Sequence, residues 1–215
     1  MQGQIHPEPG TPRLFENPVL EVFTRTHPIV VPSIFLPVSA FLIWYSIARA
    51  GVSPVNNVLL AVAGIFTWTL VEYWLHRTIM HWIPDAKWGE RMHFWVHGIH
   101  HTWPNDPLRL VMPPMISIGL FLIFLGIYRL ILGPYAWAFQ AGFTVGYIAY
   151  DLTHYYLHHG KPRWKWARKL QRHHLLHHFS EKHEDLRYGV SNSFWDHVFG
   201  TYEVRKARED RVAAR

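Results

Sequence analysis

The sequence predicts an all-α integral membrane protein, with about four transmembrane helices in two hairpins and a cytosolic, histidine-rich helical cap. Three observations lead there. Four apolar blocks each approach or reach the roughly 20 residues that a helix needs to cross a bilayer core. Histidines gather after the second and fourth of these blocks, and Lys and Arg are concentrated in the same non-apolar stretches.

The blocks lie at 29–48, 55–75, 115–132 and 134–157. Pro32 and Pro37 sit in the first, tolerable near a membrane helix end but a reason to question where it starts. A short "RAGVSP" link joins the first two blocks and little more than Gly133 joins the last two, so each pair reads as a hairpin. Residues 76–114 connect the hairpins. Glu72 and Asp151 stand near the C-terminal ends of the second and fourth blocks. Residues 1–28 read as a polar, proline-rich lead-in without the pattern of a cleavable signal peptide, 29–203 as the main domain and 204–215 as a basic tail.

With 215 residues a single compact unit is expected, and eleven tryptophans among 16% aromatic residues call for extensive apolar surface. No cysteine is present, which removes disulfides, thiolate zinc sites, iron–sulfur clusters and haem–thiolate chemistry, so any metal must be held by nitrogen or oxygen. The formal charge of +6 is unevenly placed: two Lys and Arg before residue 29, one near each hairpin turn (Arg49, Arg129), four in 76–114 and thirteen from 158 onward. The positive-inside rule puts both termini and every histidine cluster on the cytoplasmic side. Nucleic-acid binding is disfavoured, since the basic residues are interleaved with histidine clusters and no binding motif accompanies them. A solvated face near anionic lipid headgroups explains the basic tail better.

Ten histidines form four groups: His76 and His81; His97, His100 and His101; His154 and His158; His174, His177 and His178. On a helix, residues three or four apart share a face, so His97 with His101, His154 with His158, and His174 with His178 can each aim two nitrogens at one place. His76 and His81 are five apart and are expected to straddle a helix end or to reach two different ions. Imidazole binds Zn, Fe, Cu and Ni, and one ion takes only about three to six protein ligands, so ten imply two ions. Glu72 precedes His76 by four residues and Asp151 precedes His154 by three, which suits carboxylates that orient imidazole N–H groups. The other seven, His6, His27, His93, His159, His173, His183 and His197, fall outside the repeated pattern, His173 being the least secure exclusion because it stands four before His177.

Through "EYWLHRTIMH", "HGIHHTWPNDPLRLVMPP", "GYIAYDLTHYYLHHG", "HHLLHHF" and "GVSNSFWDHVFGTY", over roughly residues 60–203, the chain resembles the membrane fatty acid hydroxylase superfamily, and within it the fatty acid 2-hydroxylases. The resemblance implies a membrane enzyme whose cytosolic cap holds a dinuclear metal centre, with the family's histidine pattern on the ten positions above. Eukaryotic relatives often carry a fused cytochrome b5 domain. This sequence has no room for one, so a separate electron donor is implied, such as cytochrome b5 or a ferredoxin with its reductase.

Two iron ions are expected, because imidazole-bound iron changes redox state and zinc does not, although zinc can take its place in a purified sample. The implied reaction uses O2 and two external electrons to insert one oxygen at C2 of an acyl lipid or fatty acid, the other oxygen leaving as water. The protein's part is to present only C2 to the oxidant. Trp74, Tyr147 and Tyr155 are read as interfacial anchors rather than substrate contacts, and Arg109 with Pro113 and Pro114 as shaping re-entry into the bilayer. Asn192, Ser193, Trp195 and Asp196 could contact a polar headgroup or brace the cap, and bracing is the favoured reading. Another lipid C–H oxidase, such as a desaturase or sterol oxidase, shares this chemistry and differs by product. A membrane metal transporter is disfavoured because ionisable residues collect at one end of the spans instead of lining a path.

Overall fold

The computed structural model describes residues 13–183 and 185–203 and contains no β-strand among them. The basic tail 204–215 and His6 lie outside the described residues. The helices are α1 (Pro18–Phe23), α2 (Val30–Ala48), α3 (Pro54–Trp74), α4 (Gly89–His93), α5 (Ile99–Thr102), α6 (Pro114–Leu132), α7 (Ala136–His159), α8 (Lys165–Phe179) and α9 (Phe194–Val198). Two π-helical turns interrupt the pattern, Leu75–Met80 after α3 and Phe94–Gly98 between α4 and α5. Three stretches are long and apolar enough to span a membrane: Val30–Ala48, Pro54–Met80 and Pro114–His159. The third is bent by a 3-10 turn at Gly133–Tyr135 into α6 and α7, so the four apolar blocks become four helical arms.

The chain divides into two compact units. One holds residues 13–70 and 107–152, the other 71–106 and 153–203. In the first unit, α2 begins at Val30 and accommodates Pro37 in its interior, so the prolines do not shorten the span. Val55, Val58, Leu59, Val62 and Phe66 make an apolar stripe at helical spacing along α3, each more than half exposed, as a lipid-facing surface requires. The opposite face packs without room to spare. A Cβ on Gly142 of α7 would lie 1.9 Å from the Ala61 carbonyl oxygen of α3, so the two helices cross where small residues let backbones meet. Rings of α6 and α7 pair in antiparallel order, Phe124 with Phe143 at 4.9 Å and Tyr128 with Phe139 at 4.7 Å.

The lead-in is tied to the segment before α6. Asn17 caps α1 by accepting from the Val19 N–H at 2.9 Å, and Pro18 suits the first helical position. Glu21 accepts from the N–H groups of Leu14 and Phe15 and from the guanidinium of Arg109 at 2.6 Å. The Thr26 N–H donates to the Leu108 carbonyl at 2.6 Å. Arg109, on which no chemistry was expected, is thus a buried clamp for residues 13–26.

Candidate metal centre

The second unit gathers the histidines. α8 explains the logic best: at 100° per residue Lys165, Arg168, Lys169 and Arg172 fall on an exposed face, while Ala167, His174, His177 and His178 turn inward. The end of α7 brings His154 and His158. His97, His100 and His101 come from the π turn Phe94–Gly98 and α5. The π turn Leu75–Met80 resolves the five-residue spacing: the His81 N–H donates to the His76 carbonyl at 3.2 Å, an i to i+5 bond that returns both side chains to the same place. His81 does cap the end of this turn, but both imidazoles join one group instead of reaching two ions.

Two groups of five result, His76, His81, His97, His101 and His177 in one and His100, His154, His158, His174 and His178 in the other, with the possible ligand atoms of each group within 4.8 Å of one another. In the first, successive Nε2 atoms along His177, His81, His76, His97 and His101 are 3.1, 3.3, 3.0 and 3.0 Å apart. In the second, along His154, His100, His178, His174 and His158, they are 2.9, 3.1, 3.1 and 2.9 Å apart. Neighbouring residues His100 and His101 serve different groups, and the rings of His101 and His178 adjoin at 4.3 Å.

These separations suit metal ions. Nitrogens about 2.1 Å from one cation and at right angles around it are roughly 3.0 Å apart. The His76 Nδ1–H donates to the Tyr188 carbonyl at 2.6 Å and the His177 Nδ1–H to the Leu186 carbonyl at 2.7 Å, so in the neutral rings both Nε2 atoms carry bare lone pairs aimed into the group. Burial first, and then the mutual repulsion of charged imidazoles, lowers the pKa of His97, His100, His174 and His178 well below the ordinary histidine value. Burial does the same at His81, His101 and His177, with neighbouring imidazoles adding to it. Neutral imidazole is the form that binds a metal.

The remaining described histidines stay outside both groups. His27 accepts from the Ile29 N–H, His159 stacks on Tyr155 at 4.6 Å and His197 on Tyr202 at 3.9 Å. His183 contacts Ser180, and His93 approaches His81 only to 6.4 Å between ring centres. His173 is buried but turned elsewhere: Arg187 donates to its Nδ1 at 2.9 Å, and its Nε2–H donates to Asp196 at 3.0 Å.

The carboxylates act through backbone. Glu72 reaches no imidazole; its oxygens accept from the N–H groups of Val190 and Ser191, at 2.9 and 2.7 Å, and from the Ser191 hydroxyl. Asp196, fully buried, accepts from the Tyr188 and Gly189 N–H groups, both at 2.9 Å, and from the Thr201 hydroxyl at 2.8 Å. Asp151 is buried in the other unit, beside the Tyr147 hydroxyl and the Met112 backbone. Trp74 packs on Phe199, Tyr147 is buried, and Asn192 accepts from the Phe194 N–H. The loop Leu186–Ser191, which carries the carbonyls that hold two imidazoles, was not foreseen. Main-chain acceptors leave no mark in a sequence, although Gly189 is one trace: a Cβ there would lie 2.0 Å from the Asn192 carbonyl oxygen.

The sequence profile described as fatty acid hydroxylase matches residues 61–201, a stretch that contains all ten clustered histidines. The chain belongs to the fatty acid hydroxylase family. Within the family it is 40% identical over 197 residues to a dihydroceramide fatty acyl 2-hydroxylase of Arabidopsis thaliana, covering 91% of this chain and 82% of that protein. It is also 40% identical over 200 residues to the ceramide very long chain fatty acid hydroxylase of Saccharomyces cerevisiae, covering 90% of this chain but 50% of the yeast protein. Among solved structures, full-length scs7p with only its hydroxylase domain visible superposes with a TM-score of 0.82 at 39% identity, over 89% of this chain and 72% of that one. This fatty acid hydroxylase therefore shares its fold with a solved hydroxylase domain.

Proposed function

We propose that this family member hydroxylates C2 of an acyl chain, carried by a ceramide-type lipid or present as the fatty acid, at a di-iron centre held by the ten clustered histidines. One observation carries the reading: ten imidazole nitrogens converge in two adjoining groups of five, in a family chain 40% identical to a protein named for 2-hydroxylation of dihydroceramide acyl groups. Two bound irons would supply activation of O2, one oxygen entering the C–H bond and the other leaving as water with two electrons from a separate donor such as cytochrome b5 or a ferredoxin.

The chain's own residues supply geometry. The buried, neutral imidazoles present lone pairs without first losing protons; such donors accept iron as they accept zinc, copper or nickel, and it is the redox demand of the reaction that excludes zinc. Glu72 and Asp196 hold the loop whose carbonyls fix His76 and His177. In the membrane-helix unit, Phe35, Trp68, Phe121, Phe143 and Tyr147 line an apolar crevice whose chemistry suits a hydrocarbon chain. By charge distribution the histidine groups face the cytoplasm, where reduced donors are available.

The test is lipid mass spectrometry of cells that express the wild-type chain or His177→Ala, with an electron donor supplied. 2-Hydroxyacyl lipids in the wild type alone are expected, and their headgroup names the substrate. Unsaturated or otherwise oxidised lipids in their place would overturn the regiochemistry in favour of another lipid C–H oxidase.

A further inference from the structure

The two groups of histidines converge alike but are supported differently. In the first, His76 and His177 donate through Nδ1 to Tyr188 and Leu186, two carbonyls of a single loop. That loop is itself fastened at four successive N–H groups, Tyr188 and Gly189 to Asp196, Val190 and Ser191 to Glu72. Asp196 is fastened in turn by His173 and the Thr201 hydroxyl, and Thr201 pairs with the Tyr73 hydroxyl at 3.0 Å. None of the five Nδ1 atoms of this group is a buried atom without a partner. In the second group the Nδ1 atoms of His158, His174 and His178 are buried and meet no hydrogen-bond partner among the described residues.

A partner on the far ring nitrogen fixes the tautomer and orientation of a metal-bound imidazole and raises its basicity. Removing such a partner typically costs about 10- to 100-fold in metal affinity. A buried imidazole N–H without an acceptor also loses its hydration for nothing. We propose that the two ions are held unequally: the ion among His76, His81, His97, His101 and His177 is the retained one, and the ion among His100, His154, His158, His174 and His178 is the exchangeable one. The cause is the loop Leu186–Ser191, which serves the first group alone. This rests on reading both groups as metal sites and is independent of the lipid product.

Zinc is the convenient probe, because it is counted without redox chemistry. Purified full-length chain is loaded with Zn²⁺, exposed to a chelator, and sampled over time for zinc per chain by mass spectrometry. Two zinc ions are expected, leaving in two phases whose rates differ by about tenfold or more. His158→Ala should keep one zinc that leaves at the slow rate, and His81→Ala one that leaves at the fast rate. Glu72→Gln, which leaves all ten imidazoles in place, should accelerate the slow phase and spare the fast one. Two ions lost in a single phase, or single-variant rates that are equal or reversed, would overturn the inequality while leaving the metal centre standing. A wild-type chain that takes up no zinc would overturn the metal centre itself. Should either histidine variant fail to fold, the wild-type time course beside Glu72→Gln still decides.

Discussion

The rings of His101 and His178 lie 4.3 Å apart with 32° between their planes, and each belongs to a different group of five. The adjoining rings mean that ions in both groups would share one compact site. Because His100 and His101 are consecutive yet divided between the groups, a small rotation of α5 disturbs both. Ligand loss in one group should therefore stop the reaction even where the other group is intact. His97→Ala and His177→Ala are expected to abolish turnover and leave fewer than two ions per chain, whereas His183→Ala should keep both metal and activity. Metal analysis beside product formation checks this, and equal behaviour of all three variants would sink the ligand assignment.

The metal-free chain should lose stability on mild acidification. The clustered histidines outside the spans have folded-state pKa values pushed well below the ordinary range near 6.5. Above that value both folded and unfolded chains hold them neutral; below it the unfolded chain takes up protons and the folded chain does not. Each such histidine then removes up to about 1.4 kcal/mol of stability per pH unit. Thermal melting of metal-free protein in detergent should fall between pH 7.5 and 5.5, and a flat profile would contradict the burial of neutral imidazoles.

Much of this arrangement was legible beforehand. The apolar blocks located the spanning helices to within about two residues at most ends, because a bilayer imposes length and hydropathy directly. The i, i+4 pairs His97 with His101, His154 with His158, and His174 with His178 each proved to share a group, as helical periodicity requires. His76 and His81 did not yield to the same rule, since a π turn has no compositional signature. The support offered by Leu186 and Tyr188 was hidden for a related reason: carbonyl acceptors belong to every residue, and only the three-dimensional path selects which ones matter.

The Arg109 and Glu21 pair gives a stability prediction away from the histidines. Arg109 is buried, and its guanidinium lies 2.6 Å from the Glu21 carboxylate. Replacing Arg109 by Ala removes the buried partner of a carboxylate that still keeps Arg25 at 2.9 Å and should cost about 1.5 kcal/mol, with the double variant Arg109→Ala and Glu21→Ala losing less than the sum of the two single variants. Melting temperatures of the four proteins complete the cycle. A double-variant loss equal to the sum of the two single losses would show that the pair is not coupled.

Helix crossing supplies the last. Gly142→Ala places a methyl against the Ala61 backbone and should destabilise the protein by about 1–3 kcal/mol, while Gly126→Ala, with nothing within 4 Å of the added carbon, should be tolerated. Folded yield and melting temperature in detergent measure the contrast. A similar effect of both would point to helix propensity instead of close packing.

The loop Leu186–Ser191 also sets an order of events. In chain order all ten clustered imidazoles, the last at residue 178, precede the loop, Asp196 and Thr201, which must fold back onto them. The folding chain thus passes through an interval in which the clustered imidazoles can gather but the carbonyls that steady His76 and His177 have not yet docked. An ion that arrives during that interval meets pliable histidines, whereas one that arrives later meets a site already set. Docking of this one short segment divides an early, pliable site from a late, set one.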